Sequence, residues 1–269
     1  MVEEESNMKY EEIYKSTELV VVSYGGGVNS TAMLIGMQAR GQVPDAILFA
    51  DTGAEFPETI DYVEAFSGWL MRHGMPAITT VRYKSKHVTL EQECINNGTL
   101  PGLAFGFKGC SVKWKRQPMD KWVKTGAREA FERGGKIHRL IGIDADEQHR
   151  GKNLIDPHLY QYHRPLIEWW WGREECETEI LAAGLCLPRK SACFFCPAAK
   201  KEEVRTLARE RRDLFDRAVA LELNAKERGG LKQIKGLGRN WSWEQLGELE
   251  ESQLRLFPEP PVEPCECYF

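Results

Sequence analysis

Two groups of residues in this chain have the types and spacing to do chemistry. The first is Ser23-Tyr24-Gly25-Gly26-Gly27-Val28-Asn29-Ser30-Thr31. Three consecutive glycines tolerate left-handed backbone and close approach, so successive N–H groups can converge on one concavity. An apolar run precedes them and helical spacing follows, which places the turn at a helix N-terminus and adds the helix's positive end. Ser23, Ser30 and Thr31 contribute hydroxyls, with Tyr24 and Asn29 in the same turn. The segment reads as a cradle for phosphate or another oxyanion. It has neither the Gly-x4-Gly-Lys-Ser/Thr nor the Gly-x-Gly-x-x-Gly spacing of the common nucleotide loops.

The second group is the cysteines. Ser191-Ala-Cys-Phe-Phe-Cys-Pro197 contains Cys193-x-x-Cys196, and the chain has eight cysteines in all. On its own the pair is compatible with a redox dithiol, half of a zinc site or part of an iron–sulfur site. It does not follow a strand–helix–strand unit in the thioredoxin manner. Cys94 reads as core.

Further polar residues fall where strands should end. Asp51 and Thr52 follow the run Ala46-Ile-Leu-Phe-Ala50, so Asp51 is a candidate for Mg²⁺ or a ribose hydroxyl, with Ala50 and Thr52 flanking it. From Lys108 to Lys124 six basic residues stand against Asp120, a local +5 suited to an anionic group. Glu147 and Arg150 follow a fourth strand candidate at the spacing of an i, i+3 pair. The elements that must position these residues are legible as alternating patterns. Leu19–Tyr24, Ala46–Ala50, Ile78–Tyr83 and His138–Ile143 read as strands, and Val28–Arg40 and the segment from Pro57 as helices. Strands alternating with helices imply a parallel α/β sheet with helices on both faces. Beyond it, Arg173–Ala183, Ala198–Arg228 (as one long helix) and Trp243–Leu256 read as helical, the Gly229-Gly230 pair closing the long one. We therefore expect an α/β nucleotide-binding domain over 17–167 and a mainly helical, cysteine-containing region over 168–269.

Composition sets the bounds. The chain has 269 residues, 28% of them charged and 42% hydrophobic, with a net charge of −4. This excludes a globally basic nucleic-acid binder and a disordered chain. The N-terminal segment has neither a basic nor an apolar stretch of the signal-peptide kind, and no run is long enough to span a bilayer, so a cytoplasmic chain with reduced thiols and no membrane partner is expected.

In order along the chain, the glycine turn, Asp51-Thr-Gly-Ala-Glu-Phe-Pro-Glu-Thr59, Gly109-Cys-Ser-Val-Lys-Trp-Lys-Arg-Gln-Pro118 and Ile141-Gly-Ile-Asp-Ala-Asp-Glu-Gln-His-Arg150 resemble the motifs of the PP-loop (N-type ATP pyrophosphatase) superfamily, in particular its 3′-phosphoadenosine-5′-phosphosulfate (PAPS) reductase-like branch. The resemblance covers roughly Val20 to Pro197. It implies an adenine nucleotide alpha hydrolase-like fold and an enzyme that binds ATP with Mg²⁺, or an adenylyl sulfate, and activates an acceptor by adenylylation for sulfur or nitrogen transfer. Asp51, Lys113 and Arg150 would be catalytic. Ser23, Tyr24, Gly25, Gly26, Gly27, Asn29, Ser30, Thr31, Ala50, Thr52, Gly142 and Glu147 would line the nucleotide. Cys110, Cys193 and Cys196 would ligate a metal centre, a 4Fe–4S cluster ahead of Zn²⁺, with Cys186, Cys176 or the tail thiols Cys265 and Cys267 as candidates for the fourth ligand. Two departures are visible: Asn29 stands where the signature has Asp, and Cys110 lacks the adjacent cysteine of cluster-bearing reductases. Candidate partners are the adenine nucleotide, a nucleic-acid or small-molecule acceptor, a sulfur donor and a second copy of the chain. The alternatives within the same resemblance are a thiol-dependent PAPS reductase acting through Cys267 and a non-catalytic nucleotide-binding accessory of nucleic-acid modification.

Overall fold

The structure, a computed structural model, describes residues 13–15, 18–103, 108–126, 137–153 and 160–256, with 15, 150–153, 251 and 253–256 as backbone alone. They divide into two compact units. The first holds the residues up to Leu90 and Cys110–Cys193, the second Glu91–Gly109 and the residues from Phe194 onward. The division thus falls after Cys193 rather than near residue 167. The reason is the helix Arg173–Ala182, whose Cys176 and Ile180 are buried in the same apolar core as the sheet.

Five strands build the first unit: β1 (Val20–Tyr24), β2 (Ala46–Ala50), β3 (Ile78–Val81), β4 (Ile137–Ile141) and β5 (Tyr160–His163). Every pairing is parallel and the order is β3-β2-β1-β4-β5. The β-branched and aliphatic residues of β1 and β2 are buried, as a sheet covered on both faces requires. β1 is central, with Val22 opposite Ile47 and Leu140. The strand β5, Tyr-Gln-Tyr-His, lies at the edge and has no apolar run to announce it.

Helix α1 (Val28–Ala39) buries nine of its twelve residues, which explains an apolar pattern that runs around most of its circumference. Gly41, at φ +67°, ends it. The N–H of Gln42 bonds back to Met37 O and that of Gly41 to Gln38 O, the pairing of a Schellman cap. Helix α2 (Pro57–Arg72) starts on Pro57 and buries Val63, Phe66, Trp69 and Leu70, while Ile60 is exposed. Helix α3 (Leu90–Asn97) belongs from Glu91 onward to the second unit; in the first, the short helix Gly109–Ser111 leads through the π turn Val112–Arg116 into α4 (Gln117–Gly126). The short α5 (Pro165–Glu168) and α6 (Arg173–Ala182) close this unit. Between them Trp169 and Trp171 flank α1 so tightly that a Cβ on Gly36 would lie 2.6 Å from the first and 2.8 Å from the second. The Arg40 guanidinium sits 4.2 Å from the Trp169 ring. These two tryptophans pack against α1. Trp170 between them is 79% exposed.

In the second unit the expected long helix is two: α7 (Lys201–Glu210) and α8 (Arg212–Glu227), broken where Arg211 leaves helical geometry at φ −135°, ψ 63°. Gly229, at φ +72°, and the Gly230 N–H to Ala225 O bond end α8, as the glycine pair predicts. The start of α9 (Trp243–Leu256) is held by Glu222 of α8. Its buried carboxylate accepts from the N–H groups of Leu237 at 2.6 Å and Trp243 at 3.1 Å and from the Ser242 hydroxyl. Among the described residues no helix is long and apolar enough to cross a membrane.

Candidate functional site

The glycine turn leaves the C-terminal end of the central strand and enters α1, at the point where neighbouring strands diverge to opposite sides, β2 on one and β4 on the other. In open parallel sheets, ligands bind beyond the strand ends at this switch point. Gly26 has φ +75°, and a Cβ there would lie 3.1 Å from Thr59 Cγ2, so both conformation and space require glycine. Gly25 is exposed, with open space around an added Cβ except for Ser30 Oγ at 3.7 Å. The turn is fastened from within. Ser30 Oγ accepts from the Gly25 N–H at 3.2 Å and donates to Gly27 O at 3.1 Å. Thr31 Oγ1 donates to Gly27 O at 3.0 Å and lies 3.1 Å from the Tyr24 hydroxyl.

These bonds change the reading of several side chains. Tyr24 and Thr31 are buried and Ser30 nearly so. Burial also raises the Tyr24 hydroxyl pKa above the ordinary tyrosine range. They shape the turn rather than offer hydroxyls to a ligand. Ser23, half-buried, accepts from Arg139 Nε at 2.8 Å. Arg139 is a buried cation in β4, paired with Asp120, and lies 4.9 Å from the Tyr160 ring. A buried guanidinium is tolerated only with this degree of pairing. Nothing local in the run His-Arg-Leu-Ile marks it.

Gly142 meets the first turn of α1. A Cβ there would lie 2.7 Å from Ser30 Cα and 2.8 Å from Ser30 N. The glycine therefore lets the loop after β4 approach the backbone of α1 itself. Beside it, Asn29 Nδ2 donates to Asp144 Oδ2 at 2.7 Å, and the other Asp144 oxygen accepts the Glu147 N–H at 2.9 Å. Position 29 is an amide because a buried carboxylate, Asp144, faces it. Glu147 thus enters through its backbone. Arg150 lies in the helical stretch Ala145–Asn153, and its side chain is outside the described residues.

Asp51 is buried at the end of β2 beside the turn, as expected. Its oxygens are engaged by the chain: Oδ1 accepts the Gly53 N–H at 2.7 Å, and Oδ2 accepts from Arg82 Nε at 2.9 Å and Nη2 at 2.5 Å. A carboxylate so paired with a guanidinium does not fit the ligand expected for Mg²⁺. It orients Arg82 instead, whose side chain remains 64% exposed just beyond β3. Arg82 was missed because it reads as the last residues of a strand candidate. Ala50 is buried in the sheet.

Thr52 leads to the second cluster. Its hydroxyl donates to Glu55 Oε1 at 3.0 Å and lies 3.2 Å from Cys193 Sγ. Cys193 Sγ is 3.8 Å from the same Glu55 oxygen, and the two residues pair as an antiparallel bridge. Lys115 Nζ sits 2.8 Å from Glu55 Oε1. Lys113, the cation chosen from sequence, points elsewhere, 5.4 Å from the Tyr83 ring. Two residues apart on a π turn, the lysines face different neighbours.

Among the described residues no group of three or more His, Cys, Asp or Glu side chains is placed to hold a metal ion. Cys193 is held by a hydroxyl and by a carboxylate that already carries an ammonium, a donor set that does not fit an iron–sulfur cluster or zinc. Cys110 and Cys196 are half-buried and Cys186 is exposed. Cys176 is in the core, and burial pushes its thiol up to about 12. Cys94 is core, as read. Cys265 and Cys267 lie outside the described residues.

No protein-family model matches the chain. Uncharacterized protein MJ0973 of Methanocaldococcus jannaschii is 22% identical over 248 residues, or 88% of this chain, which spans 55% of that relative's length. Among solved structures, U34-tRNA thiolase NcsA from Methanococcus maripaludis, determined with its 4Fe–4S cluster, aligns with 91% of this chain and 75% of its own at 16% identity and a TM-score of 0.45.

Proposed function

We propose that the chain is a nucleotide-binding α/β enzyme of the PP-loop kind, which takes ATP or an adenylyl sulfate on the Gly25–Gly27 turn and activates an acceptor by adenylylation for sulfur or nitrogen transfer. The observation that supports this is the turn itself: a glycine turn with Gly25 exposed, at the switch point of a parallel sheet, backed by the N-terminus of α1 and fastened by Ser30. In this reading the N–H groups of the turn and of the first turn of α1 hold the phosphates. Arg82, held by Asp51, and Lys113 carry the charge of the transferred group.

Gly25→Val tests the reading, because the nearest atom to an added Cβ is a hydroxyl at 3.7 Å and the fold has room for it. ATP affinity by calorimetry should fall at least about tenfold with an unchanged melting temperature, as expected when a side chain fills the space a phosphate occupies. Equal affinity in the two proteins would sink the proposal. Pyrophosphate release from ATP by the natural chain separates turnover from binding alone.

A further inference from the structure

The Cys193 cluster was expected to be a metal corner and is built otherwise. Glu55 is the anomaly. Its side chain is 0% exposed, yet one oxygen, Oε2, has no hydrogen-bond partner. An orphaned buried carboxylate oxygen costs folding free energy and is retained where the group has work to do. Oε1 gathers the rest of the site: the Thr52 hydroxyl at 3.0 Å, the Lys115 ammonium at 2.8 Å and the Cys193 thiol at 3.8 Å. Cys193 itself is only half-buried, whereas the Glu55 side chain is fully enclosed. A proton has a short path from the thiol through the Thr52 hydroxyl, 3.2 Å and then 3.0 Å, to Glu55. This is a thiol with a base, a relay and a counter-ion.

We infer that Cys193 is a nucleophilic, sulfur-accepting thiol, with Glu55 its proton acceptor, Thr52 the relay and Lys115 the cation that steadies the carboxylate. The inference rests on the sulfur-transfer branch of the proposed function and names its donor class, a persulfide R–S–SH. Cys193 Sγ attacks the outer sulfur. The new Sγ–S bond forms as the donor's S–S bond breaks, and the proton of Cys193 passes to Glu55. The departing R–S⁻ then takes a proton to become R–SH. One thiol and one persulfide exchange places, so no external oxidant or reductant is needed.

The test uses the full chain, purified anaerobically and treated with glutathione persulfide, followed by alkylation and peptide mass mapping. The expected result is the mass of one added sulfur on the Cys193 peptide, forming at least about tenfold faster than on the exposed Cys186, as a positioned base allows. Glu55→Gln and Thr52→Val should each slow that labelling about tenfold with melting temperature held. Cys186→Ser should leave it unchanged. Sulfur arriving first at Cys186, or equal labelling in the Glu55→Gln protein, overturns the inference. So does iron or zinc in the purified chain that is lost in Cys193→Ser. Gly25→Val keeps the two readings apart: it should lose ATP binding and still label Cys193. If the natural chain binds no ATP while Cys193 labels as expected, the nucleotide reading fails and this one stands.

Discussion

The glycine turn and the Cys193 cluster both belong to the first unit and are built in opposite ways. The turn is made of backbone. Its side chains fold inward to fasten it, as Ser30 and Thr31 do on Gly27 O. The cluster is made of side chains drawn from Thr52, Glu55, Lys115 and Cys193, the last 141 residues from the first. Backbone sites are specified by steric demands on a few neighbouring residues. Side-chain sites are specified by long-range packing, and tolerate only chemistry that neutralises their charges.

The sharpest way to break the turn is Gly142→Ala, which drives a Cβ to within 2.7 Å of backbone at Ser30. Neither partner is a flexible side-chain end, so a loss of about 3 kcal/mol or more is expected in urea unfolding. A third polar group, at the opposite end of the sheet, supplies the contrast for side-chain clusters. His138, buried in β4, lies 2.9 Å from His163 of β5 and 2.7 Å from Glu18. Burial first, and then His138, lowers the His163 pKa from 6.5 to about 4. The unfolded chain therefore takes up its proton first, and stability should fall as pH drops from about 6.5 to about 4, by on the order of 2–3 kcal/mol. His163→Asn should flatten that slope in unfolding measured across the same range. A smaller effect, about 1–2 kcal/mol, is expected for Asp51→Asn, which weakens the charge-assisted bond to Arg82. Cys193→Ser is expected to cost under about 1 kcal/mol, because a half-buried thiol in a polar setting loses little packing. A large loss there would make Cys193 a structural residue and remove the contrast with the turn.

What could be read from sequence follows the same division. The strand β1, the three glycines and α1 are neighbours in the chain, and their local demands placed the turn correctly. So did Pro57 as the start of α2 and the Gly229-Gly230 pair as the end of α8. The edge strand β5 was not legible because Tyr-Gln-Tyr-His has no apolar run. The break at Arg211 carries no glycine or proline. Gly142 was recognised as a close approach, but which backbone approaches it is set by β4 lying beside β1. That Lys115 rather than Lys113 meets Glu55 could not be read from the run Val-Lys-Trp-Lys-Arg, because Glu55 arrives from a distant segment. Glu55 lay inside a recognised motif and drew no notice, since its partners arrive from two other segments.

The contact between Gly142 and Ser30 bears on motion as well as shape. With nine of twelve residues buried and its first turn pressed against the loop after β4, α1 has no room to lift at its start without parting from the sheet. The Thr31 amide, bonded to Gly27 O at 3.1 Å, should exchange its hydrogen only when the whole unit unfolds, at the slowest rate in the chain. An anion arriving at the turn would therefore meet a finished mould, and its departure would leave that mould as it was.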